Sequence, residues 1–434
     1  MQSRQGDHKM LIARIAFLIL LTAAATVFSK TNARQANDRQ APQPVPAKTA
    51  PVQVRAVVTD RNGQFIEGLT AEDFLLTEDD VLQGLESFSM EKTVGRSSSA
   101  THSQAGVSDA VPEGIQGVSG SNSPRVIDLL VDTAHISSNG LEGVRIALRR
   151  FVYEQTAGND LIAIMTSGGK PGTKGEFTAD REKLASEMKK IRPAFTDFES
   201  FLTPVLCGRV VRRDPQAVGL TTLIINAEDR SSGSVQMPSN TNAEAEAVSK
   251  CTMLLLETAS RRRSLMSSIG AAVDKMSAMP GQHIIALFTE GFSMTAPGGD
   301  VAISEIRPAI SSAVRSGVMI YAFDARVPLA SKQVNMESYS LAGEILNSAR
   351  DLQHGMSLMA SQTGGDAFYN LDSLSEQLQQ MLGGNRVCYR LAYYPPVAKD
   401  PRTYRSINIS VKGHPEYQVR AQKGYDMTGT SRSK

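Results

Sequence analysis

The sequence predicts an α/β domain, a mostly parallel sheet with helices on both faces, joined to a β-sandwich-like module built from strands at both ends of the chain. Three observations carry this. From Arg125 onward, short apolar runs alternate with helical spacing, as in VIDLLVD, LIAIMTS, HIIALFTEGF and VMIYAFDAR, and that alternation belongs to parallel sheets covered on both sides. Before it, Val52, Val54, Ala56 and Val58 recur with a period of two, the mark of a half-buried strand. Past Arg386 the texture returns to strands in VCYRLAYYP, TYRSINISVK and YQVRAQKGY. Strands at both ends pack most simply as one module.

The chain has 434 residues, too many for one core. Residues 1–33 read as a secretory signal peptide: Arg4, Lys9 and Arg14 precede the apolar run Ile15 to Phe28, with small residues Ala23, Ala24, Ala25 and Ala33 after or within it. The expectation is an exported protein, periplasmic or extracellular, or membrane-anchored if the signal is not cleaved. No second segment could span a membrane. Residues 34–51 form a proline- and glutamine-rich tether.

Residues 52–92 make the N-terminal β module, with a hairpin turn at Asn62-Gly63 and a capped turn opening at Thr70. Residues 93–124 are rich in serine and glycine and read as a flexible linker. Residues 125–385 carry the α/β domain, interrupted by an insertion at about 195–262. Within it GEFT, Gly175 to Thr178, is a short edge piece, and helices are expected over Asp180 to Ile191, Ala243 to Met279, Leu341 to Ser361 and Leu374 to Leu382. Arg261-Arg262-Arg263 read as a solvated helix face. Residues 386–425 supply the C-terminal strands that pack with the first β module, with Tyr389, Tyr393 and Tyr394 filling it, and residues 426–434 are a tail.

Composition excludes some functions. A formal charge of +2 gives no global field for nucleic acid, and the absence of tryptophan weakens any stacking platform. Three cysteines in an exported chain leave the pairing open; Cys207 with Cys251 is the candidate disulfide, and Cys388 is then a small buried hydrophobe.

Enzymatic motifs fail one after another. A haloacid-type phosphatase needs a second aspartate two residues after the strand-end nucleophile, and Ala134 stands there after Asp132. No Gly-x-Ser-x-Gly elbow occurs. Lys170 follows two glycines but precedes Pro171, which rules out a phosphate-cradling loop. The six histidines are scattered without ligand spacing.

One set of segments is specific through its order: VQVRAVVTDRNGQFIEGLTAEDFLLTEDD, RVIDLLVDTAHIS, NDLIAIMTSGG with GEFTADREKL, GQHIIALFTEGF, SGVMIYAFDAR, LMASQTGGDAFYN, CYRLAYYPP and VRAQKGY. Together they resemble the von Willebrand factor A domain, and more narrowly the bacterial exported VWFA-related family. The resemblance implies a Rossmann-like fold and protein–protein interaction through a metal-ion-dependent adhesion site. That site places Asp-x-Ser-x-Ser after the first strand, a threonine on a later loop and an aspartate after the fourth strand, holding Mg²⁺ with hard oxygens and leaving one position for a partner's carboxylate. Here Asp132 matches the first aspartate, Thr196 (with Thr203 as competitor) the threonine, and Glu290 the last aspartate. Ala134 and Ile136 replace both serines, and Ser137 and Ser138 are out of register. The site is therefore expected to be degenerate, with Mg²⁺ weakly held or absent. His135 adds a softer ligand or a hydrogen-bonding group beside Asp132.

The expectation is a non-enzymatic exported protein that binds an unidentified protein partner. The alternatives are a metal-dependent hydrolase using Asp132 and Glu290 as a carboxylate pair, or an inert structural envelope component.

Overall fold

A computed structural model describes residues 51–92, 124–168, 175–194, 202–231, 242–326, 339–369, 373–396 and 404–426. The signal segment, Thr196, and all but the last residue of the tether and of the linker lie outside the described residues. No described helix is long and apolar enough to cross a membrane.

The first module contains β1 (Val52–Thr59), β2 (Phe74–Glu78), β3 (Val81–Leu82) and β4 (Ser87–Lys92). The turn after β1 depends on Gly63, whose φ of +77° suits a residue without a Cβ. A single helical turn at Ala71–Asp73 is fixed by the Asp73 carboxylate, which accepts from the Thr70 N–H at 2.7 Å and its hydroxyl at 2.9 Å.

The α/β domain follows with β5 (Arg125–Val131), α1 (Ser138–Arg150), β6 (Leu161–Thr166), α2 (Arg181–Met188), α3 (Pro204–Val211), α4 (Pro215–Ser231) and α5 (Ala243–Ser277). It continues through β7 (Gln282–Thr289), α6 (Ile303–Arg315), β8 (Val318–Asp324), α7 (Tyr339–Gln362), β9 (Ala367–Phe368) and α8 (Leu374–Gly383). The chain then returns to strands, β10 (Val387–Tyr393), β11 (Tyr404–Val411), β12 (Gln418–Ala421) and β13 (Gly424–Asp426).

The five-stranded sheet has the order β6-β5-β7-β8-β9, and its strands pair in parallel. The GEFT segment adds one antiparallel bridge, Thr178 to Ile162, at the β6 edge. Between β5 and β7 the direction of winding reverses, so loops after these two strands part at the carboxyl edge; open sheets place their ligands in that crevice. One face is covered by α1, α2 and α8 through Leu141, Val144, Leu148, Leu184 and Leu378. The other face meets the second half of α5, with Leu265, Ile269 and Met276. The first half of the same helix packs with α3 and α4 around Cys207, Val210, Ile225, Cys251 and Leu255. Cys207 and Cys251 are disulfide-bonded there. One continuous helix thus joins the insertion to the sheet.

Terminal strands interleave. One sheet runs β12-β1-β10-β4 and the other β13-β11-β2-β3, with Val52 opposite Tyr393 and Ala56 between Tyr389 and Ala421. The α/β domain is therefore inserted between β4 and β10 of a sandwich. Tyr389 and Tyr393 are buried in it, whereas Tyr394 is 42% exposed, a correction to the expected three-tyrosine core. The neighbouring position on a strand faces the opposite way. Inside the sandwich Glu78 accepts from the hydroxyls of Tyr393 at 2.5 Å and Tyr425 at 2.9 Å and pairs with Arg405.

Arg55 on β1 ties the two modules together. Its Nε donates to the Gly317 carbonyl at 3.0 Å, Nη2 to that of Gly281 at 2.5 Å, and Nη1 to Glu91 at 2.5 Å. Gly281 and Gly317 immediately precede β7 and β8, so the sandwich sits at the amino ends of the parallel strands. The carboxyl edge stays clear of it.

The arginine triplet is a second correction. Arg262 is fully buried: Nη1 donates to the Ser293 carbonyl at 2.7 Å, and Nη2 reaches Glu305 at 3.0 Å. A loop turning back over α5 needed its carbonyls satisfied, and sequence periodicity does not see that loop.

Candidate functional site

Register decides which side chains meet at the carboxyl edge. Val131 pairs with Thr166 on one side and Phe288 on the other, so the next residues in each strand, Asp132, Ser167 and Thr289, fall in one row. The Asp132 backbone N–H still donates to the Phe288 carbonyl at 2.8 Å, which keeps the residue in the sheet.

The Asp132 side chain is fully buried. Oδ1 accepts from the Ser167 hydroxyl at 2.5 Å, and Oδ2 accepts from the Thr289 hydroxyl at 2.8 Å. His135 Nδ1 lies 2.8 Å from the same Oδ2. A carboxylate only accepts, so this nitrogen carries the proton. Burial works to raise the Asp132 pKa, but the imidazole and the two hydroxyls outweigh it and hold the group below its ordinary range. Both hydroxyls accept in turn, Ser167 from the Ala134 N–H at 3.2 Å and Thr289 from the Gly291 N–H at 3.0 Å. The carboxylate is thus the hub of a satisfied network.

Glu290 is held separately. Its Oε1 accepts from the Ser137 N–H at 3.0 Å and pairs with the Ser137 hydroxyl. That hydroxyl also caps α1 by accepting from the Gly140 N–H at 3.0 Å. Gly140 is required: a Cβ there would overlap Oε1 of Glu290 and crowd the Ala325 carbonyl. Ser137 has therefore gone to positioning Glu290 and starting a helix.

The donor set does not fit a divalent cation. Ala134 and Ile136 are buried, Ile136 within the same apolar cluster as Val131 and Leu141. Asp132 has spent its oxygens on hydroxyls and imidazole. Thr203, the competing threonine, caps α3 by accepting from the Leu206 N–H at 3.2 Å, and Thr196 is outside the described residues. Among the described residues no three His, Cys, Asp or Glu side chains are placed to hold a metal ion. Mg²⁺ demands near-octahedral oxygen coordination, and the oxygens gathered here are hydrogen-bonded to one another instead.

An Asp–His dyad activates a nucleophile through the second imidazole nitrogen; here His135 Nε2 is buried with no hydrogen-bond partner among the described residues. The nearby hydroxyls of Ser167 and Thr289 are turned to Asp132 instead.

Sequence reasoning found Asp132, Glu290 and His135 but missed Ser167 and Thr289. The signal was present. Each is the residue that follows or ends an apolar strand, and aligning strand ends across a parallel sheet would have put both beside Asp132. Asp324, also at a strand end, caps its own loop, accepting from the Arg326 N–H at 3.0 Å.

No family model and no curated protein matches the chain. Among solved structures, it is similar to an aerotolerance-related membrane protein from Bacteroides fragilis bearing multiple mutations to serines, at 11% identity and a TM-score of 0.29, covering 60% of this chain and 98% of that one. It is also similar to the conserved hypothetical protein BatB from Bacteroides thetaiotaomicron, at 13% identity and a TM-score of 0.24, over 60% of this chain and 97% of that one. A third likeness is to the human COPII-coat protein Sec24c, at 10% identity and a TM-score of 0.28, over 70% of this chain and 43% of that one. The fold described above rests on strand order and register, independent of these likenesses.

Proposed function

We propose that this chain is an exported, non-enzymatic protein-interaction module that engages its partner without a metal ion, through the carboxyl edge of the parallel sheet. One observation carries the reading: the Asp132 carboxylate is consumed by Ser167, Thr289 and His135. The carboxylate that an adhesion site of the von Willebrand factor A type leaves for a cation is taken up here by hydrogen bonds from the protein itself. The loop is locked in one shape with no ion to load or lose.

Two further features support it. The sandwich occupies the amino edge, so the carboxyl edge, with exposed Ser138 and Asn139, is left for a partner. The signal-like residues 1–33 and the Cys207–Cys251 disulfide agree with export to an oxidising compartment. Asp132 and Glu290 are engaged by different partners, which favours this reading over a hydrolase that uses them as a carboxylate pair.

Crosslinking in an envelope extract tests the reading. The same partner is expected in EDTA and in Mg²⁺, and a Ser138→Arg, Asn139→Arg variant should lose it. Capture that occurs only with Mg²⁺ would contradict the proposal.

A further inference from the structure

In its first half α5 buries one face and opens the other, and the open face is not uniformly polar. Inward, Ala247, Cys251 and Leu255 pack with α3 and α4, and Ala259 and Arg262 continue the buried row. Outward, Met253 is 67% exposed and Leu256 48%. They stand three residues apart, hence on one side of the helix. No other helix carries two exposed large apolar side chains among the described residues: Ile146 is alone on α1, Leu223 on α4, Ile303 on α6 and Leu346 on α7. Val81 and Leu82 are neighbours on β3 and point to opposite faces.

The residues around Met253 and Leu256 form a seam. Glu246, Ser249, Met253, Leu256, Ser260 and Arg263 follow one another at steps of three and four, which keeps them in one stripe opposite the buried row. Ser249, Ser260 and Arg263 are exposed, and the Glu246 side chain is 38% exposed. The stripe reads alike from either end: charge, serine, large apolar, large apolar, serine, opposite charge. A two-fold axis between Met253 and Leu256 would bring a second copy's Leu256 against Met253, its Ser260 against Ser249 and its Arg263 against Glu246. A parallel pairing would instead set Glu246 against Glu246 and Arg263 against Arg263.

Neither charge is held tightly within the chain. Glu246 pairs with Lys250, 3.0 Å away on the same helix, and an exposed pair of that spacing contributes little. Arg263 stands 3.9 Å from one oxygen of Glu305, whose other oxygen already takes two bonds from Arg262. The two serines leave room for helix axes to approach closely.

We propose that α5 pairs antiparallel with α5 of a second copy of this chain, in a two-fold dimer centred on Met253 and Leu256 and closed at each end by Glu246 against Arg263. The surface is isologous, so it is satisfied at two copies. It uses none of the carboxyl-edge residues and stands or falls apart from the function proposed above. The paired stretch is about 25 Å of helix, less contact than a standard interface supplies, so the dimer is weak and concentration-dependent.

Sedimentation equilibrium of the full chain over a concentration series tests it. The wild type should pass from monomer to dimer and no further. Glu246→Arg or Arg263→Glu alone sets like charges together at both ends of the seam and should weaken the dimer at least about tenfold, with an unchanged melting midpoint. An equimolar mixture of these two variants should associate again, because each then meets the opposite charge at both ends. Met253→Lys combined with Leu256→Lys should abolish the dimer. A wild type that stays monomeric up to its solubility limit overturns the proposal. So does a dimer indifferent to these substitutions, a mixture that fails to associate, or an assembly that grows beyond two copies. A monomeric wild type that binds phosphatidylglycerol vesicles or a different envelope protein through Met253 and Leu256 likewise overturns it.

Discussion

Asp132 Oδ2 and His135 Nδ1 lie 2.8 Å apart at the carboxyl edge of the parallel sheet. The imidazole N–H answers the buried carboxylate, which also accepts from Ser167 and Thr289. Ala134 and Ile136, two and four residues after Asp132, are both buried.

Replacing His135 with alanine removes one partner of a buried carboxylate and leaves two hydroxyls. A loss of about 2–4 kcal/mol is expected, below or at the low end for breaking a buried ion pair. Urea denaturation measures it; a change under about 0.5 kcal/mol would show that the pair is not structural.

Asp128, in the middle of β5, gives the fold a distinct pH dependence. Both of its oxygens are buried without hydrogen-bond partners among the described residues, and burial pushes its pKa from 3.8 up to about 8 against the pull of Lys275. The folded state then holds a proton that the unfolded state releases. Stability is greatest at low pH on this account and falls by about 1.4 kcal/mol per pH unit between roughly pH 4 and 8. Asp132 acts in the opposite sense, losing its contribution only as pH falls below the ordinary carboxylate range. Denaturation curves at several pH values should show the decline in the wild type and a flatter profile in Asp128→Asn.

Reducing the Cys207–Cys251 bond, which spans 44 residues, should cost about 4 kcal/mol by the chain-entropy relation. The loss should concentrate in the insertion. Hydrogen exchange after Cys207→Ser and Cys251→Ser substitution is expected to accelerate in α3 and α4 while β5 and β7 stay protected. Cys388 is buried, and burial pushes its thiol up to about 11, so it should not react with a soluble thiol reagent in the folded protein.

Arg55 couples the sandwich to the α/β domain. In Arg55→Ala, Glu91 keeps Arg390 alone among the described residues, 3.6 Å away, and the carbonyls of Gly281 and Gly317 lose their donors. A loss of about 3–5 kcal/mol is expected, and calorimetric unfolding should split or broaden where the wild type melts as one transition. Unchanged cooperativity would mean that the shared apolar core alone joins the modules.

The fold was legible in the sequence because strand and helix periodicities depend on local order. VIDLLVD, LIAIMTS and HIIALFT announced a buried parallel sheet, and the matching alternation at both ends announced the sandwich. The site was legible only in part. Asp132 and Glu290 stand at strand ends that one strand reveals by itself, whereas Ser167 and Thr289 acquire meaning only through register between strands. Arg262 was hidden for a related reason: the Ser293 carbonyl it satisfies comes from a loop distant in sequence. Such groups betray themselves once the chain is folded and their hydrogen bonds must be accounted for.

Calorimetric titration of the full chain with Mn²⁺ bears most directly on the central claim. A site whose carboxylate is already spent on Ser167, Thr289 and His135 should give no heat beyond dilution, in the wild type and in Asp132→Ala alike. A saturable signal in the wild type that vanishes in Asp132→Ala would contradict the account.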